Sequence, residues 1–329
     1  MKRFRIGIDS YGLLPLGQNP MEMLRWALAN GAEGVQFSGL DAAQRELAGA
    51  GYLKELGQYA ASEDLYLEWG GAQHIPRDMT TRAHKDLFAH NRRAVEEAVL
   101  VGARVIRSCS GGLMRWNPKS PMTETLLRET AESLVAQRRM LEDHDVALAL
   151  EVHFEFTTHE LLRLLEMCGA EPGGPFGICL DTLNLLVMLE DPGEGARRLL
   201  PWVIATHIKD GGVKLTAEGL IVFPTGIGEG IVDLPLITAF LGELRENVHL
   251  SIEDHGGSFT LPIFEPLFLS KFPDLSVQEL ARVIRLAQRT EDLAVRGSCT
   301  ITGRDEWPKL CDARMKRNIE ALRRIVQGG

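Results

Sequence analysis

Cysteine is scarce in this chain and unpaired. Five occur in 329 residues, at positions 109, 168, 179, 299 and 311. Their number is odd and no two form a C-x-x-C pair. This argues against a disulfide framework or a zinc knuckle and points to a reducing cytoplasm. A basic excess is also missing. Thirty-six Lys and Arg against 45 Asp and Glu leave a net charge of −9, whereas nucleic-acid binders usually carry the opposite balance. No run approaches the roughly 20 apolar residues of a membrane span. The opening MKRFRIGIDSYG has no apolar stretch long enough for a signal peptide. These absences predict a cytoplasmic protein that partners neither nucleic acid nor membrane. Internal repeats and low-complexity tracts are lacking. So is a Gly-rich turn after the first strand candidate, where a doubly wound nucleotide-binding sheet would carry one.

What the chain does have is alternation. Short β-type runs fall at 5–9, 34–37, 65–69, 105–109, 146–153, 176–181, 203–209 and 249–253. Amphipathic helical runs lie between them, among them 21–30, 80–101, 123–144 and 158–168, the last stopping at Gly169. Eight strands each followed by a helix predict an α/β fold, a (β/α)8 TIM barrel. The length suits one such barrel. Residues 1–255 are expected to carry the strands and the site. Residues 256–329 are expected to form a C-terminal extension of the same domain, with closing helices at 276–292 and 312–326.

Side chains alternate along a strand, so residues of one parity share a face. In 146–153 the even positions Val146, Leu148, Leu150 and Val152 are bulky. The odd positions Ala147, Ala149, Glu151 and His153 are small and then polar. The next three strands repeat this. Gly177, Cys179 and Asp181 oppose Phe176, Ile178 and Leu180; Ala205, His207 and Lys209 oppose Ile204, Thr206 and Ile208; Ser251, Glu253 and His255 oppose Leu250 and Ile252. Four successive strands thus aim Glu151, Asp181, His207 and Glu253 inward at their C-terminal ends, where barrel enzymes place their chemistry. Three carboxylates together need compensation, and a divalent cation supplies it. The oxygen-rich donor set suits Mn²⁺ first, with Mg²⁺, Co²⁺ and Zn²⁺ as alternatives.

The segments ALEVHFEFTTHELLRLLE, GICLDTLNLL, THIKDG and LSIEDHGG resemble the xylose isomerase-like TIM barrels, the sugar phosphate isomerase/epimerase superfamily. The resemblance spans roughly residues 4–255. It implies that Glu151, Asp181, His207 and Glu253 hold one divalent metal, and that Glu151 and Glu253 act as acid and base. The stretch GIGEGIVD (226–233) resembles the Gly-rich turn the family sets before its seventh helix. Where ketose epimerases and the related endonucleases commonly carry a His three residues after the strand-six Asp, this chain has Asn184. That departure and the acidic charge weigh against DNA repair and against a plain ketose 3-epimerase.

Other residues extend the site. His153 shares the inward face of Glu151 and is a candidate proton-transfer group, since imidazole titrates near neutrality; the C-glycoside deglycosidases resemble this chain in such a Glu-x-His pair. Lys209, Arg107, Asn184, His74 and His255 are candidate substrate contacts, with Arg107 an anion clamp if it points inward and Lys209 alternatively a partner of Asp181. Asp210 is expected to cap the turn that follows it. The expected activity is isomerisation or epimerisation of a small keto sugar or sugar acid through an enediolate. The alternative is a lyase on the same path: a decarboxylase, a dehydratase, or a C-glycoside deglycosidase subunit acting on a 3-keto sugar. A sugar-binding or assembly subunit without turnover is the non-enzymatic rival. The expected partner is a small carbohydrate, with a homo-oligomer or a partner subunit left open. Finally, Phe259, Leu261, Ile263, Phe264, Leu267, Phe268, Leu269 and Phe272 crowd a stretch interrupted by Pro262 and Pro266. That composition predicts that 256–275 docks over the barrel mouth or into a subunit interface.

Overall fold

Burial on both faces is what a parallel sheet demands, and the strands of this chain supply it. The computed structural model describes residues 4–110, 112–244 and 247–328. Among these, eight parallel strands close into a barrel. They are β1 (Ile6–Asp9), β2 (Gly34–Gln36), β3 (Tyr66–Ala72), β4 (Val105–Ser108), β5 (Ala147–Glu151), β6 (Phe176–Asp181), β7 (Val203–Ile208) and β10 (Leu250–Ile252). The order around the barrel is β1-β10-β7-β6-β5-β4-β3-β2, and helices fill most of the crossovers. The fold is the expected (β/α)8 barrel. Two features were not expected. After β7 the chain makes an antiparallel hairpin, β8 (Asp210–Thr216) and β9 (Gly219–Thr225). The short strand β11 (Phe259–Leu261) then pairs with β9, forming a three-stranded sheet beyond the barrel.

The helix expected from 80 begins at Leu87 instead. Asp78 accepts hydrogen bonds from the backbone N–H of Thr80 and Thr81, a local turn that competes with helix. Asp86 then caps the helix by accepting from Ala89 N. The last helix starts early, at Trp307, whose indole donates to the Gly12 carbonyl at 3.0 Å.

Leu148, Leu150, Ile178 and Leu180 face the outer helices in the main core. Ala149, Cys179 and Ala205 form a separate small cluster inside the barrel. Ile204, expected on the outer face, packs against that inner cluster. The cause is a register shift between β6 and β7 at Ile178/Cys179, which turns one residue around. Below, Tyr66 fills the barrel floor. A Cβ on Gly7 would stand 2.2 Å from its hydroxyl, and one on Gly34 2.2 Å from its ring. Glycine at both positions is what admits the ring.

Candidate metal centre

The rim is built where the strands end. Glu151 closes β5, Asp181 closes β6, His207 lies one residue before the end of β7, and Glu253 follows β10. All four are buried. One donor atom from each lies within 4.8 Å of the others. Opposed ligands of an octahedral ion with bonds of about 2.1 Å stand roughly 4.2 Å apart, so small side-chain shifts close the set on one cation. His207 turns Nδ1 towards the acids, at 2.9 Å from Glu253, 3.3 Å from Glu151 and 3.8 Å from Asp181. Glu253 Oε2 is buried and faces two cationic donors, His207 Nδ1 at 2.9 Å and the Lys209 ammonium at 2.7 Å. The residues present fit a divalent ion.

Positive charge already enters this cluster. The Lys209 ammonium lies 2.9 Å from Asp181 Oδ2 and 2.7 Å from Glu253 Oε2. Lys209 therefore reaches the ligand set itself. Burial raises Glu253, but Lys209 and His207 outweigh it and hold the carboxyl well below the usual range. Asp181 goes the other way, because its burial exceeds the help from Lys209. Burial alone would depress His207; the Cys179 thiol and the carboxylates of Glu253 and Glu151 override it and push the imidazole well up.

Arg107 does point inward. Its guanidinium donates to Glu151 at 3.0 Å and lies 3.8 Å from Asp9 Oδ2. Burial raises Glu151, but Arg107 and His207 outweigh it and keep this carboxyl far below its ordinary value. Arg107 thus clamps an anion belonging to the protein. Asn184 is likewise committed inward. Its amide donates to Asp181 Oδ2 at 2.9 Å and to the Val152 carbonyl at 3.1 Å, and its N–H reaches Asp181 Oδ1. The His expected from the family pattern is replaced here by a residue that orients a ligand.

His153 lies beside the centre. It stacks on Phe154 with centroids 3.9 Å apart, and its Nδ1 is 3.3 Å from Glu155. Donor atoms of His153, Cys109 and Glu151 fall within 4.8 Å of one another. Burial lowers His153, but Cys109 and Glu155 dominate and raise it well above an ordinary imidazole. His74 is set back, 1% exposed, with Nδ1 3.1 Å from Ser108 Oγ; burial depresses it. His255 occupies the rim, edge-on to Tyr11 at 5.6 Å. Its Nδ1 lies 3.0 Å from the Gly256 carbonyl, and burial pushes it down to about 4.

Three inward residues escaped the sequence reading: Asp9, Gln36 and Glu68, all buried. Asp9 pairs in register with Gln36, and Gln36 with Glu68. The parity rule applied to β1, β2 and β3 would have found them. Asp210 does not cap a turn directly after it, because β8 begins there; besides the N–H of Gly211 it accepts from Gly228, Gly230 and Val232, so it ties down the Gly-rich stretch 226–233.

The sequence profile of the xylose isomerase-like TIM barrel matches residues 24–285. The chain belongs to that family. Solved structures agree on the fold. L-ribulose 3-epimerase aligns over 90% of this chain and 95% of its own, at TM-score 0.59 and 18% identity. The IOLI protein with a bound zinc atom aligns over 89% and 98%, at 0.61 and 15%. The probable 3-DHS dehydratase AsbF from Bacillus anthracis aligns over 75% and 92%, at 0.59 and 15%. Comparison with curated protein sequences gives no match. No helix among the described residues is long and apolar enough to cross a membrane.

Proposed function

We propose that this xylose isomerase-like barrel is a divalent-metal-dependent enzyme that isomerises or epimerises a small keto sugar or sugar acid through an enediolate. The observation that carries the reading is the convergence of four buried donors, Glu151, Asp181, His207 and Glu253, at one rim. Those residues would hold the cation, with Mn²⁺ first and Mg²⁺, Co²⁺ or Zn²⁺ as alternatives; a zinc atom is bound in the IOLI neighbour. Such an ion supplies stabilisation of negative charge developing on substrate oxygen, usually the dominant source of rate in this chemistry. Glu151, Glu253 and His153 are the groups that move the proton at the substrate carbon. His153 is not one of the four donors, so it can exchange a proton without releasing the ion. His255, Lys209 and the rim around Tyr11 are the groups placed to meet the sugar, whereas His74, set back beside Ser108, is not.

A second reading has its own support. Lys209 sits among the acids, where an ammonium can protonate a leaving oxygen. That favours a lyase on the same path: a decarboxylase, a dehydratase, or a C-glycoside-cleaving subunit acting on a 3-keto sugar. A dehydratase is among the similar structures.

Turnover of a panel of keto sugars and sugar acids, with and without chelator, tests the proposal. Asp181→Ala should lose both the bound ion and activity. Full turnover in metal-free buffer after chelation would rule the mechanism out. Elimination or decarboxylation in place of stereochemical exchange would select the second reading.

A further inference from the structure

We infer that Gln36 and Glu68 are positioning residues that fix the tautomer of His207, so that its Nδ1 is the atom offered to the cation. The inference rests on the metal reading above. Below the centre, three hydrogen bonds run in series through the barrel interior. His207 Nε2 contacts Gln36 Oε1. Gln36 Nε2 donates to Glu68 Oε2 at 2.5 Å. Glu68 Oε1 meets His249 Nδ1 at 2.8 Å. Gln36 and Glu68 are 0% and 2% exposed, so water does not compete for these bonds.

The direction of the series follows from what each group can do. A carboxylate only accepts. Glu68 therefore takes the NH₂ end of Gln36, and the carbonyl end is left for His207. An amide oxygen also only accepts, so His207 must carry its hydrogen on Nε2. The other neighbour of Nε2, Asp9 Oδ2 at 3.5 Å, is an acceptor too. With Nε2 protonated, the lone pair of the metal-loaded imidazole lies on Nδ1, the atom nearest Glu253, Glu151 and Asp181. His249 holds the second oxygen of Glu68 and stacks on Tyr66 with centroids 3.8 Å apart, which anchors the lower end of the series on the barrel floor. Partners of this kind behind a ligating imidazole typically carry 10–100-fold in metal affinity.

The experiment loads Zn²⁺ into full-length protein labelled with ¹⁵N-histidine, records imidazole two-bond ¹H–¹⁵N spectra, and measures Zn²⁺ affinity by competition with a chelator. In the unaltered protein His207 should show protonated Nε2 and metal-bound Nδ1. Gln36→Met keeps length without the acceptor. Glu68→Gln keeps shape but lets either amide turn around. Both should weaken Zn²⁺ binding about 10–100-fold. Tyr66→Phe disturbs the same floor, removing the 2.8 Å contact with Ser251 Oγ but leaving the series intact, and should bind Zn²⁺ as the unaltered protein does. An unprotonated Nε2 in the zinc-loaded protein overturns the inference even if neither variant folds. Undiminished affinity in Gln36→Met and Glu68→Gln, or equal loss in Tyr66→Phe, overturns it as well. Failure of the unaltered chain to bind any divalent ion overturns the proposed function, and this inference with it.

Discussion

At the residue scale, the rim sets the four ligand candidates and their partners apart from His153. Arg107, Lys209 and Asn184 are tied to Glu151, Asp181 and Glu253. His153 is tied instead to Glu155 and Phe154. His153→Gln should therefore keep the ion and lose the rate by roughly 10²–10⁴-fold, the usual contribution of general acid–base catalysis. Metal content and turnover measured on the same preparation check this, and near-normal turnover would reduce His153 to a support. The four ligand candidates were legible because period-two alternation showed small and polar residues against bulky ones. Lys209 was legible as inward and as a partner for Asp181, but not for Glu253; Arg107 was legible only as a clamp if it pointed inward, not as the partner of Glu151. Parity gives a side chain's direction and not its reach, and long flexible side chains are where the two part.

At the element scale, charge also ties helices together outside the barrel. Thr158, at the start of helix Thr158–Met167, donates N–H and hydroxyl to Glu190. Arg198 bridges Glu190 and Glu279 at 2.8 Å each, and His159 lies 3.6 Å from Glu279. Burial pushes Glu190 up to about 7, against the lowering effect of the Thr158 bonds and Arg198. A carboxyl raised in the folded state contributes stability that is full below its unfolded value and is lost as pH rises through the folded value. Compared with Glu190→Gln, the unaltered protein should lose on the order of 2–3 kcal/mol between pH 4.5 and pH 7.5. Urea unfolding of both proteins across that range checks the sign; a gap that widens with pH in favour of Glu190 would contradict it. Regular elements were easiest to see where capping and periodicity agreed, as in Thr158–Met167. The β8–β9 hairpin was missed because its residues continue straight out of β7 and their pairing is with each other. The start at Leu87 was missed because the Asp78 turn sits inside a run with helical spacing.

At the scale of the whole molecule, the segment after β10 acts as a strap. Leu261, Ile263, Phe268 and Phe272 are buried, while Phe264 and Leu267 stay exposed. Phe259 meets Phe154 at 4.5 Å, and Phe268 meets Trp116 at 5.8 Å. Lys271 and Arg115 donate to each other's backbone carbonyls, and the Arg115 guanidinium lies over the Phe272 ring. Behind the strap, Arg314 and Asn318 of the last helix bind Asp254, one residue past Glu253. The native protein should therefore resist proteolysis between Phe259 and Lys271, and Phe268→Ala should make that stretch the first site cut. Rapid cleavage in the unaltered protein would show that the strap is not docked. Composition alone pointed to docking, because so many apolar side chains beside prolines have no comfortable place in water. It did not reveal the β11–β9 pairing, which depends on a hairpin the sequence had not announced.

The floor of the barrel has a kinetic consequence. Tyr66, admitted by Gly7 and Gly34 and bonded to Ser251, plugs the far end, so the rim is a single doorway. A ligand of the proposed centre would come and go by this one rim, beside the Phe154–Phe259 contact. Thinning the strap at Phe259 should speed arrival and departure together, shifting on-rate and off-rate by similar factors, with little change in the balance between them.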